Sequence, residues 1–525
     1  EELTAWRLHS PSRPYFMMMM IHNYYCYIFV FLCLIITLTL ANDDTTTTTT
    51  TGTCTAAEDE SCQALATATT TTNDDKDDAT TTTSIAIDTT TISSCRTIAC
   101  IADWFADNVD DYFERQPLLV KVNPDYLSST NINWTFDDVL DKASSGGLTW
   151  NSQIMMMNTG VKEGDTSIFE MAPRFPPGTE VTREALDEAT QHSTFLLGTT
   201  HAIEEGAANV VQAFQESLQL PASINTYSTR SGFHTAAPVH TDRFHTFVLQ
   251  VSGTKRWKVY EPLLKNPTWG VHGDAEWAKG AGKPIRKDNQ VGPLLINHVM
   301  RPGDILYFPR GYPHETSTAN DNDDNDGNSS VALTVAVHTE SIHLVYEKLV
   351  RCVFSQMGLF DQPPPVACPM CSAVLTDYVL SEDGAELRQS LPLATKFNNV
   401  KEEYVEEVID VLLRHIPNIA KLAIRSGEEA LAKQYFTEET MAKLIPTAYE
   451  MAAHSFEARL DNIDKLQQAL ATATSGTIPR KDQQAHWNQV FSDYSIFDRN
   501  CHGGGMRALF SDYDWSRKKE LDDFL

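Results

Sequence analysis

Pro238-Val239-His240-Thr241-Asp242-Arg243-Phe244 and Gly303-Asp304-Ile305-Leu306-Tyr307-Phe308-Pro309-Arg310-Gly311-Tyr312-Pro313-His314 hold three side chains of metal-ligand type: His240, Asp242 and His314. Side chains alternate along a strand, so His240 and Asp242 project to one face and His245, of opposite parity, faces away. Asp304 to Phe308 reads as another strand, and the Pro-Arg-Gly-Tyr-Pro turn after it returns the chain toward His314. Two histidines and one carboxylate on a single metal leave open positions for an oxidant and a co-substrate, the ligand set of non-haem iron(II). An HxD triplet alone arises often by chance. HxD followed by a strand, this turn and a histidine is a far more specific pattern.

Working outward, strands are predicted over Ser223–Thr229, Thr246–Val251, Arg256–Tyr260, Asp304–Phe308 and Val331–His338, with Gly253, Pro262, Pro302-Gly303 and Gly311 between them. Short strands separated by turn residues point to a sandwich or barrel. The acidic stretch Thr318 to Asn328 reads as a solvated loop between two of them. Upstream, Ile101, Trp104, Phe105, Val109, Tyr112 and Phe113 recur at helical spacing, so one helix is predicted over Ile101–Phe113, ended by Pro117. Helices are also expected over Thr182–Ala189, Val210–Leu218, Val405–Leu413, Glu428–Tyr435, Glu438–Met451 and Phe456–Leu470. The fold class expected is α+β, a double-stranded β-helix with flanking helices and a helical C-terminal region.

Several further segments carry a family resemblance. Phe113-Glu114-Arg115-Gln116-Pro117-Leu118-Leu119, Asn225-Thr226-Tyr227, Phe247-Val248-Leu249-Gln250-Val251-Ser252-Gly253-Thr254-Lys255-Arg256-Trp257 and Leu387-Arg388-Gln389-Ser390-Leu391-Pro392 resemble motifs of the JmjC/cupin-type ribosomal oxygenases, the bifunctional lysine-specific demethylases and histidyl-hydroxylases. The resemblance covers about residues 98–395. It implies a dioxygenase that uses iron(II), 2-oxoglutarate and O2, with His240, Asp242 and His314 as metal ligands. It implies that Lys255 pairs with the distal carboxylate of 2-oxoglutarate, while Asn225, Tyr227 and Thr334 line the co-substrate pocket. A cation at the far end of a dianionic ligand in a dry barrel is sensible on charge grounds alone. Trp257 is expected to pack the barrel rather than touch substrate. The implied reaction hydroxylates a histidyl or arginyl side chain of a ribosomal-protein-like substrate, or demethylates N-methyl-lysine on a histone by the same chemistry. A metal-binding cupin without turnover is the reading of another class, since a fold does not fix a function. Arg243 and His245 stand where relatives usually carry small or acidic residues, and Ala332 and Ala336 where they often carry His and Ser, which bears on substrate identity. The resemblance also implies a dimerisation region and a winged-helix-like part in the C-terminal third.

Composition sets the remaining bounds. There are 41 Lys and Arg against 70 Asp and Glu, a net charge of −29. That argues against a surface built to grip phosphate backbones, a local basic groove aside, and favours a basic protein partner over nucleic acid. Residues 24–41 carry no charge and are long enough, at about 1.5 Å per residue, to cross a bilayer core. With Arg7 and Arg13 before it, the run reads as a signal peptide or signal anchor within residues 1–41, placing the protein in the secretory pathway or on a membrane. The nucleus or nucleolus, as in the resembling family, is the alternative. Residues 42–97 are rich in Thr and Asp and read as a disordered tether. The catalytic domain is expected over 98–345 and the helical region over 346–525. Eight of the ten cysteines lie outside the apolar run, which permits disulfides of unspecified connectivity; Cys368-Pro369-Met370-Cys371 reads as a loop disulfide or free thiols before a zinc site. Sequons occur at Asn133-Trp134-Thr135 and Asn328-Ser329-Ser330.

Overall fold

The computed structural model describes residues 89–150, 153–157, 169–170, 178–267, 291–319, 329–356, 375, 378–397, 400–423 and 437–492. The charge-free run, residues 42–88, the helix expected over Glu428–Tyr435, Cys368, Cys371 and Asn328 lie outside them. Strand structure begins earlier than composition suggests. Thr89–Ile92 (β1) pairs in parallel with Leu118–Val122 (β2), so the folded body starts inside the stretch assigned to the tether. By composition β1 looks like the threonine runs before it. What distinguishes it is a partner strand, which β-branched side chains suit well.

Between these strands stand Ile98–Asp107 (α1) and Val109–Tyr112 (α2) rather than the single helix expected. Asn108 makes the break: its backbone N–H and its side-chain amide both donate to the Trp104 carbonyl, ending the first helix. Thr97 caps α1 by accepting from the Cys100 N–H, and a Cys95–Cys100 disulfide spans the same turn. Asp125–Ser128 (α3) and Phe136–Ser144 (α4) follow, the latter opened by a capping box between Thr135 and Asp138; Asn133 is exposed in the loop before it. Then come Ile154–Met157 (β3), Phe169–Glu170 (β4), Arg183–Ala189 (α5), Phe195–Leu197 (β5) and Glu205–Leu218 (α6).

The central strands are Ala222–Thr229 (β6), Ala237–His240 (β7), His245–Ser252 (β8), Lys255–Tyr260 (β9), Leu294–Met300 (β10), Asp304–Phe308 (β11), His314–Ser317 (β12) and Ser330–Val337 (β13). A nine-stranded sheet runs β1-β2-β11-β8-β13-β6-β5-β3-β4, and a four-stranded sheet runs β10-β9-β12-β7. Their inner faces share one core: Val248, Leu306, Phe308 and Ala332 from the large sheet meet Trp257, Val259, Ile296 and Met300 from the small one. This is the double-stranded β-helix expected from sequence. β13 is buried on both faces, which explains its unbroken apolar run: Val331, Leu333, Val335 and Val337 face the helices, while Ala332 and Thr334 face the barrel.

The C-terminal part is helical, with Tyr346–Gln356 (α7), Lys401–Ala423 (α8), Glu438–Thr474 (α9) and Arg480–Ser492 (α10). The two helices expected over 438–470 are one continuous helix that accommodates Pro446, because nothing between residues 451 and 456 breaks helical backbone. No expectation covered α10; its polar sequence shows little amphipathic pattern.

Three of the motif segments meet at one buried ion pair. Glu114, at φ 58° between α2 and β2, accepts from Arg310 Nε and Nη2 at 3.2 and 3.0 Å. It also accepts from the Ser390 backbone N–H at 2.7 Å and the Ser390 hydroxyl at 2.6 Å. His245 Nε2 lies 3.4 Å from the same carboxylate, so this residue faces away from the barrel interior as expected, though it does so as the first residue of β8 and not by parity along β7. Arg310 Nη1 reaches the Pro267 carbonyl at 2.7 Å, and Nη2 the Arg388 carbonyl. Burial alone would raise the Glu114 carboxyl, but Arg310, His245 and Ser390 hold it at about 2.

Removing one partner of such a pair leaves a buried charge uncompensated. Glu114→Gln is therefore expected to destabilise the fold by about 3–5 kcal/mol, read from the urea midpoint at pH 7. The folded carboxyl titrates near 2 against 4.5 unfolded, so its stabilisation is complete above about pH 5 and lost as pH falls through 4.5 toward 2. The variant should lack that acid leg; a wild-type midpoint and acid profile would remove the pair from this role.

Candidate metal centre

Strand pairing brings the two histidines together. β12 runs antiparallel to β7 with His314 opposite His240, and their ring centroids lie 4.2 Å apart. Asp242 follows β7, with Oδ2 3.6 Å from His314 Nε2. Ligand atoms of the three residues all lie within 4.8 Å of one another, the one such group among the described residues. Both rings are fixed in the same way. His240 Nδ1 donates to the Pro238 carbonyl at 2.7 Å and His314 Nδ1 to the Tyr312 carbonyl at 3.0 Å, each two residues back. That tautomer leaves both Nε2 lone pairs free, as ligating histidines require.

The turn before His314 is shaped for this. Gly311 has φ +79°, where a side chain would be strained, and a Cβ would lie 2.4 Å from Pro267 Cδ. Its N–H donates to the Asp242 backbone carbonyl at 2.9 Å, tying the turn to the HxD segment. Burial pushes the Asp242 carboxyl above its ordinary range and the His314 imidazole well below its own, with neighbouring His240 lowering His314 further. Two imidazoles with free Nε2 atoms and one carboxyl group, brought together in a dry site, form a donor set that a divalent cation would fit.

A cavity beside the triad is lined by Tyr227, Lys255, Trp257, Thr316 and Thr334, together with Met157, Ala237 and Thr246. Lys255 opens β9 and is only 2% exposed. Its Nζ donates to Thr229 Oγ1 at 3.0 Å, and burial pushes its ammonium down to about 7. Around it, Trp257 Nε1, Thr316 Oγ1 and Thr334 Oγ1 have no partner. A buried cation among unsatisfied donors fits a ligand that is anionic and rich in acceptors, as 2-oxoglutarate is. Trp257 packs the barrel and also lines the cavity.

Tyr227 and Thr334 thus stand on the cavity wall where expected. Asn225 is not on the wall: its Oδ1 accepts from the Thr199 N–H at 3.0 Å. Sequence reasoning missed Thr229 and Thr316. Thr229 shares strand parity with Asn225 and Tyr227, a signal that could have found it. Arg243, next to Asp242, pairs with the buried Glu340 at 3.1 Å.

Residues 201–342 match the family described as JmjC domain. The chain is similar to the bifunctional lysine-specific demethylase and histidyl-hydroxylase NO66 of Aedes aegypti, 26% identical over 236 residues, 45% of this chain and 33% of the relative. It is similar also to the protein of the same name in Drosophila erecta, 32% identical over 243 residues, 45% of this chain and 33% of the relative. Ribosomal oxygenase 1 of Danio rerio is 26% identical over 208 residues, 39% of this chain and 34% of the relative. The matches thus span about a third of the length of these relatives. Among solved structures, YcfD, a ribosomal oxygenase from Escherichia coli in complex with cobalt and 2-oxoglutarate, aligns with a TM-score of 0.30 and 14% identity, over 61% of this chain and 70% of that one.

A site kept ready for a ligand costs stability. Lys255→Met removes a buried ammonium from the cavity wall and should stabilise the ligand-free fold by about 2–4 kcal/mol at pH 6. The folded value of about 7 lies below the ordinary 10.5, so the charged form opposes folding below pH 7 and that penalty fades as pH rises toward 10.5. The gain in Tm over wild type should shrink across the same window. A destabilised variant at pH 6 would show that Thr229 fully compensates the charge.

Proposed function

We propose that the protein is an iron(II)- and 2-oxoglutarate-dependent dioxygenase that hydroxylates a histidyl or arginyl side chain of a basic, ribosomal-protein-like substrate. The observation that carries this reading is the joint placement of a preoriented His240–Asp242–His314 set and a buried Lys255 in one cavity. Iron(II), 2-oxoglutarate and O2 would supply the oxidising chemistry that places hydroxyl on a C–H bond, with succinate and carbon dioxide released. The chain's own residues bind and orient. His240 and His314 would offer Nε2, because each Nδ1 is already committed to a backbone carbonyl. Asp242 would offer a carboxylate oxygen, its ionised form restored by the metal's charge. Lys255 would hold the distal carboxylate of the co-substrate, and Thr316, Thr334 and Trp257 would donate to its oxygens. Demethylation of N-methyl-lysine is the second reading, supported by the NO66 relatives, whose names carry both activities. A net charge of −29 supports a basic protein as substrate rather than a nucleic acid.

The test is succinate release with added iron(II) and 2-oxoglutarate, alongside mass spectrometry for +16 Da shifts in ribosomal proteins and histones. Asp242→Ala is expected to lose turnover; undiminished succinate release would refute the ligand assignment. Lys255→Ala is expected to weaken 2-oxoglutarate binding by about 100- to 1000-fold, measured by anaerobic calorimetry, with metal content near wild type. An unchanged affinity would mean that another cation holds the co-substrate.

A further inference from the structure

We infer that the C-terminal helix α10 sets the wall of the co-substrate pocket through a series of three amides, with Gln484 as a positioning residue. The inference rests on the pocket reading above. Gln484 is 4% exposed, and its Nε2 donates to the Gly198 carbonyl oxygen. The N–H of that same peptide unit, on Thr199, donates to Asn225 Oδ1 at 3.0 Å. Tyr227, two residues on from Asn225 and on the same face of β6, lines the cavity with His240, Asp242 and Lys255. An amide that accepts at its oxygen becomes a better donor at its nitrogen, so these bonds reinforce one another in sequence.

The middle peptide has little freedom to serve anything else. The Gly198 N–H donates to the Gln153 carbonyl at 2.8 Å. A Cβ at position 198 would lie 3.6 Å from Gln484 Nε2 and 3.9 Å from Asn225 Oδ1, so side-chain amides close over it. Thr199 has φ 48° and ψ 42°, a left-handed backbone that a β-branched residue adopts only where its surroundings impose it. Gln484 and Asn225 grip the strained peptide from both ends.

α10 is held firmly enough to act in this way. Arg480 pairs with Glu204, whose other oxygen accepts from Lys142 Nζ at 2.6 Å. Trp487 is buried edge-on against His201, ring centroids 4.5 Å apart, and His201 Nδ1 accepts from the backbone N–H of Ile224 at 3.0 Å. The helix therefore reaches β6 by two routes, one ending on Asn225 and the other on the residue before it. Gln484 touches neither metal ligand nor co-substrate. It acts by fixing Asn225, and through it Tyr227.

The test compares full-length wild type with Gln484→Met, which keeps length and removes the donor, and with Gln484→Glu as a second variant of similar size. Amide exchange over residues 195–203 is expected to quicken about tenfold or more, the Thr199 N–H above all. KM for 2-oxoglutarate is expected to rise about 3- to 10-fold, while kcat at saturation and bound iron stay near wild type. In an Asn225→Ala background the same change at 484 should have almost no further effect on KM, because the series is already cut. Unchanged exchange at 195–203 in both variants overturns the inference, as does an undiminished effect in the Asn225→Ala background. A wild-type protein that binds no 2-oxoglutarate would sink the proposed activity instead, and exchange at Thr199 would still decide whether α10 holds this wall.

Discussion

The ion pair between Glu114 and Arg310 is the constraint on which the other elements converge. Glu114 comes from the segment joining α2 to β2, Arg310 from the turn that delivers His314, and Ser390 from the linker to the C-terminal helices. None of the three can shift alone without stranding a charge or a donor in a dry interior. The pair thus couples the amino-terminal layer, the ligand-bearing turn and the helical region. Its position four residues before His314 means that what stabilises the body of the protein also aims one of its ligands.

The barrel divides its surfaces between two tasks. Outward-facing residues of the large sheet join a continuous apolar core with the helices, where ordinary packing supplies stability. The inner face is only partly apolar, and its polar members include groups that the fold leaves unsatisfied. Lys255 and the hydroxyls of Thr316 and Thr334 make sense as a surface complementary to something other than protein. An interior of that kind is maintained against folding stability, a mark of a binding site more than of a structural core.

Much of this was legible in the sequence. The HxD triplet and the later histidine were enough to name the three candidate ligands, although β7 ends at His240 and a bend, not strand parity, carries the chain through Asp242 to His245 at the start of β8. The sites of β6, β8, β9, β11 and β13 followed from β-branched runs between glycines and prolines. What was not legible depends on contacts distant in sequence. Thr89–Ile92 is a strand only because β2 lies beside it, and Asn108 breaks a helix by a side-chain bond that competes with the backbone. Asn225 shares parity with Tyr227, yet Thr199 draws it back from the cavity wall. α10 has no apolar stripe to announce it, since polar contacts at Arg480 and Gln484 and a single tryptophan hold it in place.

The acceptors that orient His240 and His314 are main-chain carbonyls two residues upstream. Side chains can be exchanged by mutation; a carbonyl cannot. Sequence drift anywhere around the barrel leaves both imidazoles in the same tautomer so long as two short strands keep their course. Ligand geometry is in this sense insulated from the residues that shape the mouth of the cavity, which are free to diversify. Evolution can then alter what enters the site without having to reinvent what happens inside it.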